Sequence, residues 1–241
     1  QGESLVAIRE DKDASAAERA LGLNRVVVTH GTPERYRETY ASQLDRLLER
    51  YAPLDPWELE GALARGGPRQ QPWVAFTFDD GLLGNYRVAA EELERRGARG
   101  TFAVPVDFPG LPRAEQPAWF REHVRAEPDA EHATGDDMAA MTWEQVRDLV
   151  RRGHRIACHT ATHLRIDAAT PSDVLRRELL EARERLEQLA STEVHGLCWP
   201  VVYDRRAAEA IAVARGAYRY TLITETAPVR RGTSPLAVPR T

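Results

Sequence analysis

The run Val74-Ala75-Phe76-Thr77-Phe78-Asp79-Asp80-Gly81 decides how the rest of the chain is read. Its apolar part is too short and too rich in β-branched and aromatic residues for a helix, and reads as a buried strand. Two adjacent carboxylates and a glycine end it. Side-by-side acids at the end of a buried strand are costly unless a cation, a shared proton or full solvation neutralises them. A solvated Asp-Asp-Gly turn would meet that condition as a metal would, so the surrounding sequence has to choose.

Upstream of this run, residues 24–30 (Asn-Arg-Val-Val-Val-Thr-His) read as a strand, with a weaker one at 5–8. After Pro33 an amphipathic helix places Tyr36, Tyr40, Leu44, Leu47, Leu48 and Tyr51 on one face. Asp55-Pro56-Trp57-Glu58 starts a second, short helix with aspartate as N-cap and proline at the first position. Gly66-Gly67-Pro68 then breaks the chain. Downstream, strand 74–78 is followed by helix 85–96 closed by Gly97, and strand 100–106 by helix 142–152 closed by Gly153. Thr142 and Gln145 stand in capping-box spacing at the start of that helix. Strand 155–158, helix 171–190, strand 194–199, helix 204–215 stopped by Gly216, and strand 218–223 complete the alternation, with one more strand at 236–238. Strands separated by helices pair in parallel through right-handed crossovers. The pattern predicts a β/α barrel over 1–241 as a single domain, interrupted by an insertion at about 107–140. The proline-rich, acidic segment 107–138 exceeds an ordinary connection and reads as either a disordered excursion or an active-site lid.

Composition narrows the function classes. Apolar residues make up 42% of the 241 residues and charged residues 29%, enough for a core and an ordinary soluble surface. The net charge of −4 gives no electrostatic reason to expect nucleic acid or an anionic membrane as partner. No apolar run approaches the ~20 residues of a transmembrane helix. Residues 1–20 carry no visible signal peptide, which favours a cytoplasmic location, or a periplasmic or secreted one if the chain begins after a cleaved segment. The two cysteines, Cys158 and Cys198, lie in apolar strand-like runs and read as small core residues.

The polar motifs sit where strands meet their following loops. Asp79-Asp80 ends one strand, His159-Thr160-Ala161-Thr162-His163 another, Trp199-Pro200 a third, and His30 the first. In a β/α barrel these ends share one face, so the groups converge. Two histidines and a carboxylate so placed can supply three ligands to a divalent metal and leave positions open for water and substrate.

TFDDG (77–81), HTATH (159–163) and LCWPV (197–201), in this order, resemble the polysaccharide deacetylase (NodB-homology) domain, carbohydrate esterase family four. The resemblance runs from about residue 26 to the C-terminus. It implies a distorted (β/α)7 barrel that hydrolyses N-acetyl groups from a carbohydrate, a surface polysaccharide or its precursor. Carried over by motif, Asp80, His159 and His163 hold the metal, zinc first, with cobalt, nickel or manganese as alternatives, and Asp79 is the general base. The backbone N–H of Val201 would face the oxyanion, with Trp199 beside the substrate. Three features depart from the family pattern. Cys198 or Trp199 stands where many relatives carry an arginine that orients the base, Val201-Val202 follows the proline, and no histidine after His195 is available as general acid. The ending PLAVPR (235–240) and the N-terminal strand ending in His30 resemble the poly-N-acetylglucosamine deacetylase-like subgroup.

His30 is the expected general acid. His123 and His132 lie in the insertion, while His154 precedes a strand and His195 opens one, which puts both near the opposite face. An N-acetylated saccharide is the expected partner, and Trp119 or Phe120 of the insertion is expected to offer a face to a sugar ring. Two alternatives stand beside this: a C–N hydrolase of a non-sugar amide or formamide, and a weakly active glycan-binding domain on the same scaffold.

Overall fold

Seven parallel strands carry the fold of the computed structural model, which describes residues 23–65, 71–124, 135–201 and 203–241. They are β1 (Arg25–Thr29), β2 (Ala52–Pro53), β3 (Trp73–Phe78), β4 (Gly100–Val104), β5 (Arg155–Cys158), β6 (Gly196–Cys198) and β7 (Tyr220–Leu222). The sheet runs β1-β3-β4-β5-β6-β7, and β2 pairs with the first residues of β3. The strand expected at 5–8 lies outside the described residues.

The C-terminal segment bridges the two edges of this sheet. Val238 pairs in parallel with Leu222 of β7, and Thr241 exchanges backbone hydrogen bonds with Val26 and Val28 of β1. The strand expected at 236–238 is thus realised as a single bridge followed by a second anchor three residues on. The result is a distorted (β/α)7 barrel of the NodB type.

Alternation along the strands divides the residues into two layers. Val27, Val74, Phe76, Phe78, Phe102, Val104, Ile156 and Leu197 pack in the larger cluster, together with the apolar residues of the helices. Phe78 and Phe102 stack at 4.7 Å there, each burial being worth about 1.5–3 kcal/mol. Val26, Ala75, Ala103, Ala157, Cys198, Tyr220, Leu222 and Val238 form the other cluster, the barrel interior. Continuing that second parity brings Val28, Thr77, Asp79, His159, His30 and Arg240 onto the interior face at the carboxyl ends. Small side chains keep the interior narrow, and at Gly196 the approach is so close that a Cβ would lie 2.4 Å from the Tyr220 ring.

Flanking helices include α1 (Arg37–Leu48), α2 (Leu59–Arg65), α3 (Glu91–Arg95), α4 (Gln116–His123), α5 (Trp143–Arg151), α6 (Ser172–Leu175), α7 (Ala182–Ala190) and α8 (Ala208–Ala217). Asp55 caps its short helix through the Trp57 N–H, and the Thr142–Gln145 capping box forms in both directions. Gly97 and Gly153 close their helices at φ 68° and 88°. Three expectations change. The helices expected at 85–96 and 171–190 each contain a π-helical segment, Asn85–Ala90 and Arg176–Glu181. Helix α8 begins later than expected and continues through Gly216 to Ala217. No helix of the described residues is long and apolar enough to cross a membrane.

Candidate metal centre and active site

Strand β3 delivers Asp79 and Asp80 to the carboxyl-end mouth, and β5 delivers His159 with the turn to His163. All four side chains are buried. Asp80 Oδ1 lies 3.4 Å from Nε2 of His159 and 3.4 Å from Nε2 of His163. Backbone carbonyls settle the tautomer of both rings. His159 Nδ1 lies 2.8 Å from the carbonyl of Cys198, and His163 Nδ1 2.7 Å from the carbonyl of His123. A carbonyl only accepts, so in the neutral rings each Nδ1 carries the proton and each Nε2 presents a lone pair. Asp80 Oδ1, itself buried, has no hydrogen-bond partner. Three lone-pair donors thus converge within 4.8 Å with no hydrogen between them, an arrangement that fits a divalent cation. Burial alone would raise the Asp80 carboxyl, but the two imidazoles, when protonated, hold it well below the usual carboxylate range.

Asp79 has a partner that the sequence reading missed. Arg240 Nη1 donates to Asp79 Oδ1 at 2.7 Å, and its Nε donates to the carbonyl of Ile223. Both side chains of the pair are almost fully buried. Burial pushes the Asp79 carboxyl up, and the guanidinium, together with the charges of His159 and His30, more than offsets this, leaving it below its ordinary value. Arg240 therefore supplies Asp79 with the guanidinium that neither Cys198 nor Trp199 can provide. It arrives from the closing C-terminal segment, on the same parity as the interior Val238. That two-residue spacing within PLAVPR was the available signal. Cys198 itself is a core residue, as is Cys158, and burial pushes both thiols up, Cys158 to about 11.

Two more buried polar groups hold the loops from behind, and both lie in the π-helical segments. Asn85 Nδ2 donates to the Asp79 carbonyl, and its Oδ1 accepts from the Thr32 hydroxyl. One Glu178 oxygen accepts the N–H groups of Ala161 and Thr162 within HTATH, while the other accepts the Thr162 hydroxyl. A π turn adds one residue to the helical repeat, and such segments recur at functional sites. Asp80, Thr160, His163 and Val201 have left-handed φ of 56–69°, and the remaining non-glycine case among the described residues, Ser191, ends α7. Aspartate tolerates that region, whereas valine is strained there.

The other expected site residues fall as follows. The β1–β3 register pairs Thr29 with Phe78, so exposed His30 stands level with Asp79, near enough for its charge to act on both carboxylates. Val201 is exposed beyond β6, and Trp199 is buried with its indole N–H unpartnered. His154 accepts from the Gly100 N–H at the start of β4, and His195 contacts Arg155 at the start of β5, so both lie at the opposite end of the barrel. His132 is outside the described residues. Trp119 is half-buried, with Phe108 stacked on it at 4.4 Å and His123 at 4.5 Å, and Phe120 is buried.

Comparison with known proteins gives the family and the fold. The family model described as polysaccharide deacetylase matches residues 66–218, more than half of the chain. Among solved structures, IcaB from Ammonifex degensii is 20% identical with a TM-score of 0.71, the match covering 91% of each chain. The deacetylase PplD of Streptococcus pyogenes, in complex with acetate, is 20% identical with a TM-score of 0.67 over 90% of this chain and 91% of that one. The deacetylase domain of BpsB from Bordetella bronchiseptica is 16% identical with a TM-score of 0.68, covering 90% and 94%. No curated protein sequence matches the chain. The chain belongs to the polysaccharide deacetylase family.

Proposed function

We propose that the chain is a single catalytic domain that removes N-acetyl groups from a carbohydrate with the help of a divalent metal ion, zinc being the first candidate. The observation that carries this reading is the convergence of Asp80 and two tautomer-fixed imidazoles beside a carboxylate held by a buried arginine. Asp80, His159 and His163 are the residues to hold the ion. An ion held there would polarise the amide carbonyl and lower the pKa of a water at the site.

The chain's own groups perform the proton transfers. With Asp79 Oδ1 engaged by Arg240, Oδ2 is left to take the proton of the attacking water. The N–H of Val201, held by a strained φ of 56°, faces the carbonyl oxygen as negative charge develops on it. His30, across from Asp79, protonates the departing amine, and acetate is the second product. The ending PLAVPR and the strand leading to His30 support a poly-N-acetylglucosamine-like substrate.

Acetate release from N-acetylglucosamine oligomers, with metal content measured in parallel, tests the proposal. Asp79→Asn should keep the metal and lose activity by about 10²–10⁴-fold, whereas Asp80→Asn and His163→Ala should lose metal as well. Hydrolysis of small amides in preference to the oligomers would favour the non-sugar alternative. Equal metal retention in all three variants would end the assignment of ligands.

A further inference from the structure

We propose that the helix α4 inserted between β4 and β5 is a structural part of the metal centre, fixing His163 through the carbonyl of His123, rather than a lid over the substrate. The inference deepens the metal-site reading above and rests on it. The carbonyl of His123 lies in the last turn of α4, where helical carbonyls have no partner within the helix. The His163 Nδ1–H supplies that partner at 2.7 Å. The contact leaves Nε2 deprotonated and aimed at Asp80. Ligating histidines gain their orientation and tautomer from such a second hydrogen bond, and losing it typically costs 10–100-fold in metal affinity.

The helix is seated rigidly enough to serve this purpose. Phe108, Trp119 and His123 form a ladder of stacked rings. Phe120 packs in a separate apolar cluster with Leu82, Phe108, Met138 and Ala140. Gln116 ties the helix at both ends of the insertion, donating to the Leu111 carbonyl and accepting from the Ala140 N–H. The insertion also grips both ligand-bearing turns through the backbone. Met141 N–H donates to the Gly81 carbonyl and Leu83 N–H to Ala139, next to Asp80. At the other end Val106 and Asp107 N–H groups donate to the carbonyls of Thr160 and Ala161, inside HTATH. Stacked with Phe108 and His123, Trp119 acts with Phe120 as the anchor of α4.

Two measurements test this. The first needs no metal: side-chain ¹⁵N spectra of His163 in the metal-free protein, above the pKa of the ring. The wild type should show Nδ1–H alone, and Trp119→Ala, which removes the middle ring of the ladder, should show mixed tautomers. The second is zinc affinity by chelator competition, where Trp119→Ala should bind 10–100-fold more weakly. Replacing residues 110–137 with a short glycine-serine linker should weaken binding at least as much, with the metal-free far-ultraviolet circular dichroism retained. An Nε2–H tautomer in the wild type, or unchanged zinc affinity in Trp119→Ala, would overturn the inference. If instead His163→Ala also bound zinc like the wild type, the ligand assignment itself would fall, which separates the two failures.

Discussion

Arg240→Met offers the sharpest test of how the C-terminal segment serves the site. Methionine keeps most of the buried aliphatic volume and removes the guanidinium, leaving the Asp79 carboxylate almost fully buried without its cation. Deleting one partner of a buried ion pair costs about 3–5 kcal/mol, because the surviving charge loses its compensation. The lost hydrogen bond from Nε to the Ile223 carbonyl adds about 1 kcal/mol. Asp79→Asn should therefore offset much of the damage, since a neutral amide at the same place needs no counter-charge. In a double-mutant cycle on metal-free protein, followed by urea unfolding, the coupling energy should reach about 2–3 kcal/mol. With metal restored, Arg240→Met should lose activity mainly in kcat, and Arg240→Lys should recover part of it. Additivity of the two substitutions within about 0.5 kcal/mol, or a wild-type kcat in Arg240→Met, would refute the pairing as the reason for this residue.

Other outcomes follow from individual contacts. His154 is buried with its pKa lowered to about 4 by burial, only partly countered by Glu94. The unfolded chain binds this proton below about 6.5, so His154 leaves stability intact above that pH and lowers it as pH falls towards 4. From pH 7 to 4.5 the loss is about 2.5 kcal/mol, and His154→Gln, able to keep both hydrogen bonds, should remove that share of the pH dependence in urea midpoints. Gly196→Ala should destabilise by about 1–3 kcal/mol, because its Cβ would lie 2.4 Å from the Tyr220 ring. Gly216→Ala, with nothing within 4 Å and a helical position, should instead stabilise by up to about 1 kcal/mol, as thermal melts of the two variants would reveal.

Local patterning made the alternating strands and helices legible, because a buried parallel strand and a core-facing helix each impose a period on their own residues. The capping box at Thr142, the N-cap at Asp55 and the closing glycines 97 and 153 were likewise readable, since each depends on residues at most three apart. Asp79, Asp80, His159 and His163 could be picked out because strand ends of a β/α barrel must converge. The π turns at Asn85 and Glu178 could not, because each adds a residue only to let a side chain reach a loop elsewhere in the fold. The role of the insertion was also hidden. Trp119-Phe120 reads as an exposed aromatic pair until Trp119 is found stacked with Phe108 and His123, and Phe120 buried. Arg240 shows the division clearly: local pattern was enough for the barrel, for the convergence of acid and imidazole, and for the absence of an arginine at Cys198 or Trp199. That a residue 161 positions from Asp79 holds its carboxylate is settled by the fold alone, because the chain end closes the sheet between β7 and β1 and so turns that guanidinium inward.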